Sequence, residues 1–149
     1  MMKADPRRRD RAAYPFHIGM RALYSDMDVF RHLNNGAIGR YLEEGRAAFN
    51  SEMFGLSTFT SPAEGEAVLL VKVTTEFLRE GRYPGQVEIG IGIGHIGGSS
   101  FLLAQAGFQN GECFVLSESV MVKSSQGRPL PLAQEQKARM GAYLCAFAS

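Results

Sequence analysis

The sequence predicts an α+β domain in which one antiparallel sheet packs on one long helix. Three observations carry this expectation. Apolar residues recur at three- and four-residue steps through residues 38–53, the spacing of one helix face. Residues 71–77 and 87–93 alternate as half-buried strands do, and turn signals divide the chain from 71 to 123 into four strands. The resulting order is a short strand, one long helix, then four strands.

The elements follow in chain order. Residues 1–15 carry Arg7, Arg8, Arg9 and Arg11 with no apolar run behind them, so they read as a solvated, partly disordered tail rather than a secretory signal. Residues 16–149 read as a single domain. Phe16 to Leu23 is a weakly alternating first strand. A polar, turn-like stretch from Tyr24 to Asn35 precedes the helix, whose buried face is Ile38, Tyr41, Leu42, Gly45, Phe49 and Met53. Asn34 or Asn35 suits its N-cap, and Gly55 with Leu56 suits its C-terminal stop. Gly36, Gly39 and Gly45 each cost about 1 kcal/mol against alanine within a helix, which points to close approach by another backbone or a ligand.

Val71, Val73 and Phe77 alternate with Lys72, Thr74 and Glu76 as in a half-buried strand. Val87, Ile89, Ile91 and Ile93 repeat the pattern after a turn through Gly81–Gly85. Gly97-Gly98 and Asn110-Gly111 are tight turns, the latter the strongest hairpin signal in the chain. The last strand spans about Cys113 to Lys123, and a short helix starts near Leu132. Gly90, Gly92 and Gly94 share a face opposite the isoleucines, leaving a side-chain-free stripe that either lets another surface come close or is a flat strand with no partner. Its alternation with Ile, and the lack of a following Lys-Ser/Thr, excludes a phosphate loop.

Composition removes several classes of function. A net charge of +1 gives no basic surface for nucleic acid, and no apolar run approaches the ~20 residues of a membrane helix. Cys113 and Cys145 have no metal or redox spacing and read as reduced thiols, consistent with a cytoplasmic protein. No metal site or cofactor is expected.

The chemistry concentrates in Asp26, Asp28, His32, Asn34 and Asn35, just ahead of the helix. A helix N-terminus presents unpaired N–H groups able to polarise a carbonyl, and a nearby carboxylate can activate water or attack it. Hydrolysis of an activated acyl group needs that pairing. By composition alone the same residues also serve as ordinary helix caps, and His32 also reads as a loop residue hydrogen-bonded to backbone.

The run from Tyr24 to Arg46 resembles the signature of the 4-hydroxybenzoyl-CoA thioesterase-like family, approximately D-x-D-x-x-x-H-V-N-N-x-x-Y-x-x-x-x-E-x-x-R. Asp26, Asp28, His32, Asn34, Asn35 and Arg46 match it. Residues 76–85 and 96–101 resemble the family's next blocks. The resemblance implies the hotdog fold, an antiparallel sheet wrapped around a central helix, working as a homodimer or homotetramer on acyl-CoA.

It further implies Asp28 as general base or nucleophile and the Asn35 N–H as the carbonyl donor. His32, Asn34, Gly36 and Ile38 fall at substrate-binding positions. Three departures stand out: Met27 replaces a frequent Thr, Arg31 a frequent Gly, and Ile38 the usual Tyr beside the acyl pocket. Glu44 and Arg46 lie two apart and so do not face each other; they read as anchors of the helix. Two alternatives to a thioesterase are a hotdog hydratase or dehydratase, whose Asp-x-Asn-Pro-x-His motif is missing here, and a non-catalytic acyl-binding protein.

Overall fold

The computed structural model describes residues 5–54 and 66–149. Its strands are β1 (Phe16–Arg21), β2 (Glu66–Phe77), β3 (Gln86–Ile96), β4 (Ser100–Gln109), β5 (Glu112–Ser125) and the short β6 (Arg128–Pro129). Its helices are α1 (Asn35–Phe54) and α2 (Gln134–Gly141). All pairings are antiparallel in the order β1-β3-β4-β5-β2, with β6 on β5. This is the hotdog architecture. The Gly55–Leu56 stop lies outside the described residues.

Turn chemistry sets the meander. Asn110 (φ 51°) and Gly111 (φ 78°) are both left-handed, which matches the twist of a two-residue hairpin. Gln126 (φ 49°) and Gly127 (φ 78°) repeat the device between β5 and β6.

α1 lies mainly on β3, with lesser contact to β1 and β4. Its expected face is buried throughout, Ile38, Tyr41, Leu42, Gly45, Phe49 and Met53, and it meets Val87, Ile89, Ile91 and Ile93. Burial of one side chain such as Phe49 contributes roughly 1.5–3 kcal/mol. Gly45 is the glycine that permits close approach: a Cβ there would stand 2.9 Å from both Ile89 Cγ2 and Gln105 Nε2. Gly39 has nothing within 4 Å, so the expectation fails at that position among the described residues. Gln105, buried on β4, ties the sheet to the helix by donating to the Leu42 carbonyl at 2.9 Å and accepting from Arg46 at 3.4 Å.

Three expectations need correction. The first concerns the tail. Residues 6–9 and 11–13 form short 3-10 turns, and Ala13 and Tyr14 are buried against β4 and β5. Arg8 explains part of this, because it pairs with Glu118 at 3.5 Å and lies 4.5 Å over the Phe147 ring. The second concerns the glycine stripe. Its space is filled by the chain itself: a Cβ on Gly90 would stand 3.1 Å from Tyr14, and one on Gly92 would stand 2.5 Å from Pro15 and 2.7 Å from Cys145 Sγ. Tyr14, Pro15 and Cys145 therefore cover the stripe at these two positions. The third concerns β2, which is longer than expected and exposes Val71, Val73 and Phe77 rather than half-burying them. The reason is layering, since α1 covers β3 and leaves the β2 edge bare.

Candidate active site

Residues 22–34 reach the helix start through a loop pinned by Asp26. Its carboxylate is 1% exposed and accepts from the Leu23 N–H at 2.9 Å, from the Tyr41 hydroxyl and from Arg40. Its backbone carbonyl accepts from the Asn34 N–H at 2.9 Å. Burial pushes the Asp26 carboxyl up, but the bonds from Tyr41, Leu23 and Arg40 outweigh it and hold the group below the usual carboxylate range. Asp26 is therefore a structural anion, and Tyr41 beside it has its ionisation pushed upward by burial and by that hydrogen bond.

Asp28, two residues on, is exposed. Its Oδ1 accepts from the Phe30 N–H at 2.9 Å and the His32 N–H at 3.2 Å, while its own N–H donates to the His32 carbonyl at 2.8 Å. Oδ2 has no partner among the described residues, so one oxygen holds the loop and the other is free.

Asn34 caps α1, its Oδ1 accepting from the Ala37 N–H at 2.7 Å and its carbonyl from the Ile38 N–H at 3.1 Å. The N–H groups of Asn35 and Gly36 stay without an acceptor among the described residues, which is the free donor pair a helix start offers an anion or a carbonyl.

Asp28, His32, Asn35 and Ile38 border one cavity of about 300 Å³, whose other walls are Leu33 and residues 77–81. Four of the six residues expected at the site meet there. Asn34 and Gly36 do not line it; Asn34 is engaged in the cap. The strand-end wall goes beyond the sequence reading. It includes Glu80, whose Oε2 lies 3.0 Å from His32 Nε2. The His32 ring thus faces a carboxylate rather than the expected backbone partner; the acidic residue in 76–85 was the available signal. Glu43 and Glu44 face a separate recess with Met20, Arg21, Leu23, Asp26, Arg40 and Tyr41. Of the two expected helix anchors, Arg46 bonds Gln105 and Glu44 bonds nothing among the described residues.

No three His, Cys, Asp or Glu side chains among the described residues converge as a metal set. Nor is any described helix long and apolar enough to cross a membrane.

The profile of the Thioesterase-like superfamily matches residues 23–140. The chain belongs to that superfamily. It is a thioester hydrolase by family. No curated protein matches it. Among solved structures, a Pseudomonas aeruginosa protein superposes with TM-score 0.81 at 21% identity, covering 95% of this chain and 99% of its own. A Thermus thermophilus thioesterase in complex with coenzyme A and Zn gives 0.74 at 22%, covering 85% and 98%. A 1,4-dihydroxy-2-naphthoyl-CoA thioesterase from Synechocystis gives 0.74 at 12%, covering 85% and 95%. At these identities the likeness is one of fold.

Proposed function

We propose that this thioesterase hydrolyses acyl-CoA to the free acid and CoA. In this reading the substrate carbonyl oxygen takes the Asn35 N–H, with Gly36 beside it. Asp28 then acts from the loop, either removing a proton from water as it attacks the carbonyl carbon or attacking that carbon itself. The C–S bond breaks and CoA leaves as thiolate, to be protonated by solvent; where Asp28 attacks directly, water then hydrolyses the acyl–Asp28 anhydride, releasing the free acid and restoring the carboxylate. The single observation that carries the reading is one cavity bordered by both the half-free Asp28 carboxylate and the unpaired N–H of Asn35. Coenzyme A in the Thermus thermophilus structure and the acyl-CoA named for the Synechocystis enzyme support the carrier.

The same reading takes the chain as a homodimer. Phe77 borders the cavity and also sits on the exposed β2 edge, so a second subunit laid on that edge would complete the acyl side of the site. Placement in the cytoplasm belongs to this proposal as well, since the substrate is made there.

The decisive experiment follows free-thiol release across aryl, short-chain and long-chain acyl-CoAs. Turnover is expected for at least one class and lost in Asp28→Asn. Absence of thiol release from every class by folded protein would sink the proposal.

A further inference from the structure

Arg31 is one of the few non-glycine residues in the left-handed region, with φ 63°. A side chain there costs on the order of 1 kcal/mol that glycine would avoid. Among the described residues nothing offsets that cost. The Arg31 N–H closes the loop onto the Asp28 carbonyl at 3.0 Å, a bond glycine would make equally well. The guanidinium is exposed and has no ion-pair or hydrogen-bond partner among the described residues. By contrast Arg11, Arg40 and Arg79 are each paired with a carboxylate.

The side chain borders a recess of about 600 Å³ together with Tyr24, Met27, Val29, Arg82 and Tyr83. Tyr24 and Tyr83 meet edge-to-face at 5.7 Å, giving the recess an aromatic wall. Arg82 is held only loosely, 3.5 Å from Glu80. Asp28 borders this recess as well as the catalytic cavity, so the two meet at the reacting group. A thioester centred at Asp28 has two arms, and two cavities open from that point.

We propose that the Arg31 recess binds the phosphate-bearing arm of coenzyme A, with Arg31 and Arg82 facing the phosphates. The inference rests on the thioesterase reading and names the subsite for its carrier. Two guanidinium forks suit phosphate oxygens, and the volume lies within the range of nucleotide-sized ligand sites.

The test uses Arg31→Gly, a substitution that relaxes the backbone and so keeps the loop folded. One readout compares kcat/KM for an acyl-CoA with that for the same acyl group on N-acetylcysteamine, which carries no phosphate. That preference should fall about tenfold, the worth of one exposed charge-assisted contact. Any effect of the lost cation on Asp28 touches both substrates and cancels in the ratio. The second readout is calorimetric binding of CoA itself, whose Kd should weaken by a similar factor, with Arg31→Lys recovering part of it. A preference and a CoA affinity that both survive Arg31→Gly would overturn the subsite. Arg31-dependent CoA binding without hydrolysis of any thioester would uphold the subsite and overturn the thioesterase reading instead.

Discussion

Asp28 and His32 close a ring on each other: the Asp28 N–H donates to the His32 carbonyl at 2.8 Å, and the His32 N–H donates to Asp28 Oδ1 at 3.2 Å. This fixes the carboxylate by one oxygen and leaves the other free beside the cavity. Asp28→Asn keeps an oxygen for the Phe30 and His32 N–H groups while removing the base. Turnover should drop by about 10²–10⁴-fold with the melting temperature nearly unchanged. Glu44→Gln, in its separate recess, should cost far less. A folded Asp28→Asn at near-normal turnover, beside an inactive Glu44→Gln, would move the catalytic carboxylate onto α1.

Asp26 should instead govern stability. Its folded carboxyl lies below its ordinary range, so its contribution is full above the unfolded value, about 4, and is lost as pH falls through the lower folded value. Asp26→Ala leaves the Leu23 N–H and the Tyr41 hydroxyl unsatisfied and should cost about 2–3 kcal/mol at neutral pH, less below pH ~4. Denaturant midpoints across pH 3–7 measure this; a difference between wild type and Asp26→Ala that grows on acidification has the wrong sign for the proposed role.

The helix, the strand meander and the pairing of Asp28 with Asn35 were legible because each is local. A 3.6-residue period, a period of two and a cap need only neighbours in sequence. Glu80 facing His32 was not, since the turn after β2 has to fold back before they meet. Nor was the burial of Tyr14: an arginine-rich segment looks solvated until Glu118 and Phe147 are seen receiving Arg8. Alternation in β2 marked a strand, but residues 69–74 are exposed on both faces; whether a face is covered depends on where α1 lies, and one strand's pattern does not hold that information.

Two of the helix glycines, Gly39 and Gly45, differ in kind. Gly39→Ala meets nothing within 4 Å and should stabilise the chain by up to about 1 kcal/mol. Gly45→Ala places a methyl 2.9 Å from Ile89 and Gln105 and should destabilise it by about 1–3 kcal/mol despite better helix propensity. Thermal melts of the two variants should move in opposite directions. A stabilised Gly45→Ala would mean that α1 is not seated closely on the sheet.

The β2 edge carries the last prediction. Along its 12 residues it pairs, among the described residues, only with β5, and it exposes Leu69, Leu70, Val71, Val73 and Phe77. A long apolar edge with unpaired backbone groups invites strand addition, and proteins that leave one bare aggregate. A second copy offers the same unpaired edge and the same apolar side chains, so two-fold pairing would satisfy both at once. Sedimentation at micromolar concentration should give a dimer. Val73, 48% exposed, is well placed to disturb it. Val73→Lys should weaken association by at least about tenfold, because the ammonium would have to be desolvated in an apolar seam. Turnover should fall with the dimer fraction, since Phe77 on the same strand borders the cavity. At enzyme concentrations high enough to restore the dimer, activity per subunit should recover. A monomeric wild type, or a fully active monomeric Val73→Lys, would show that the site is complete within one chain.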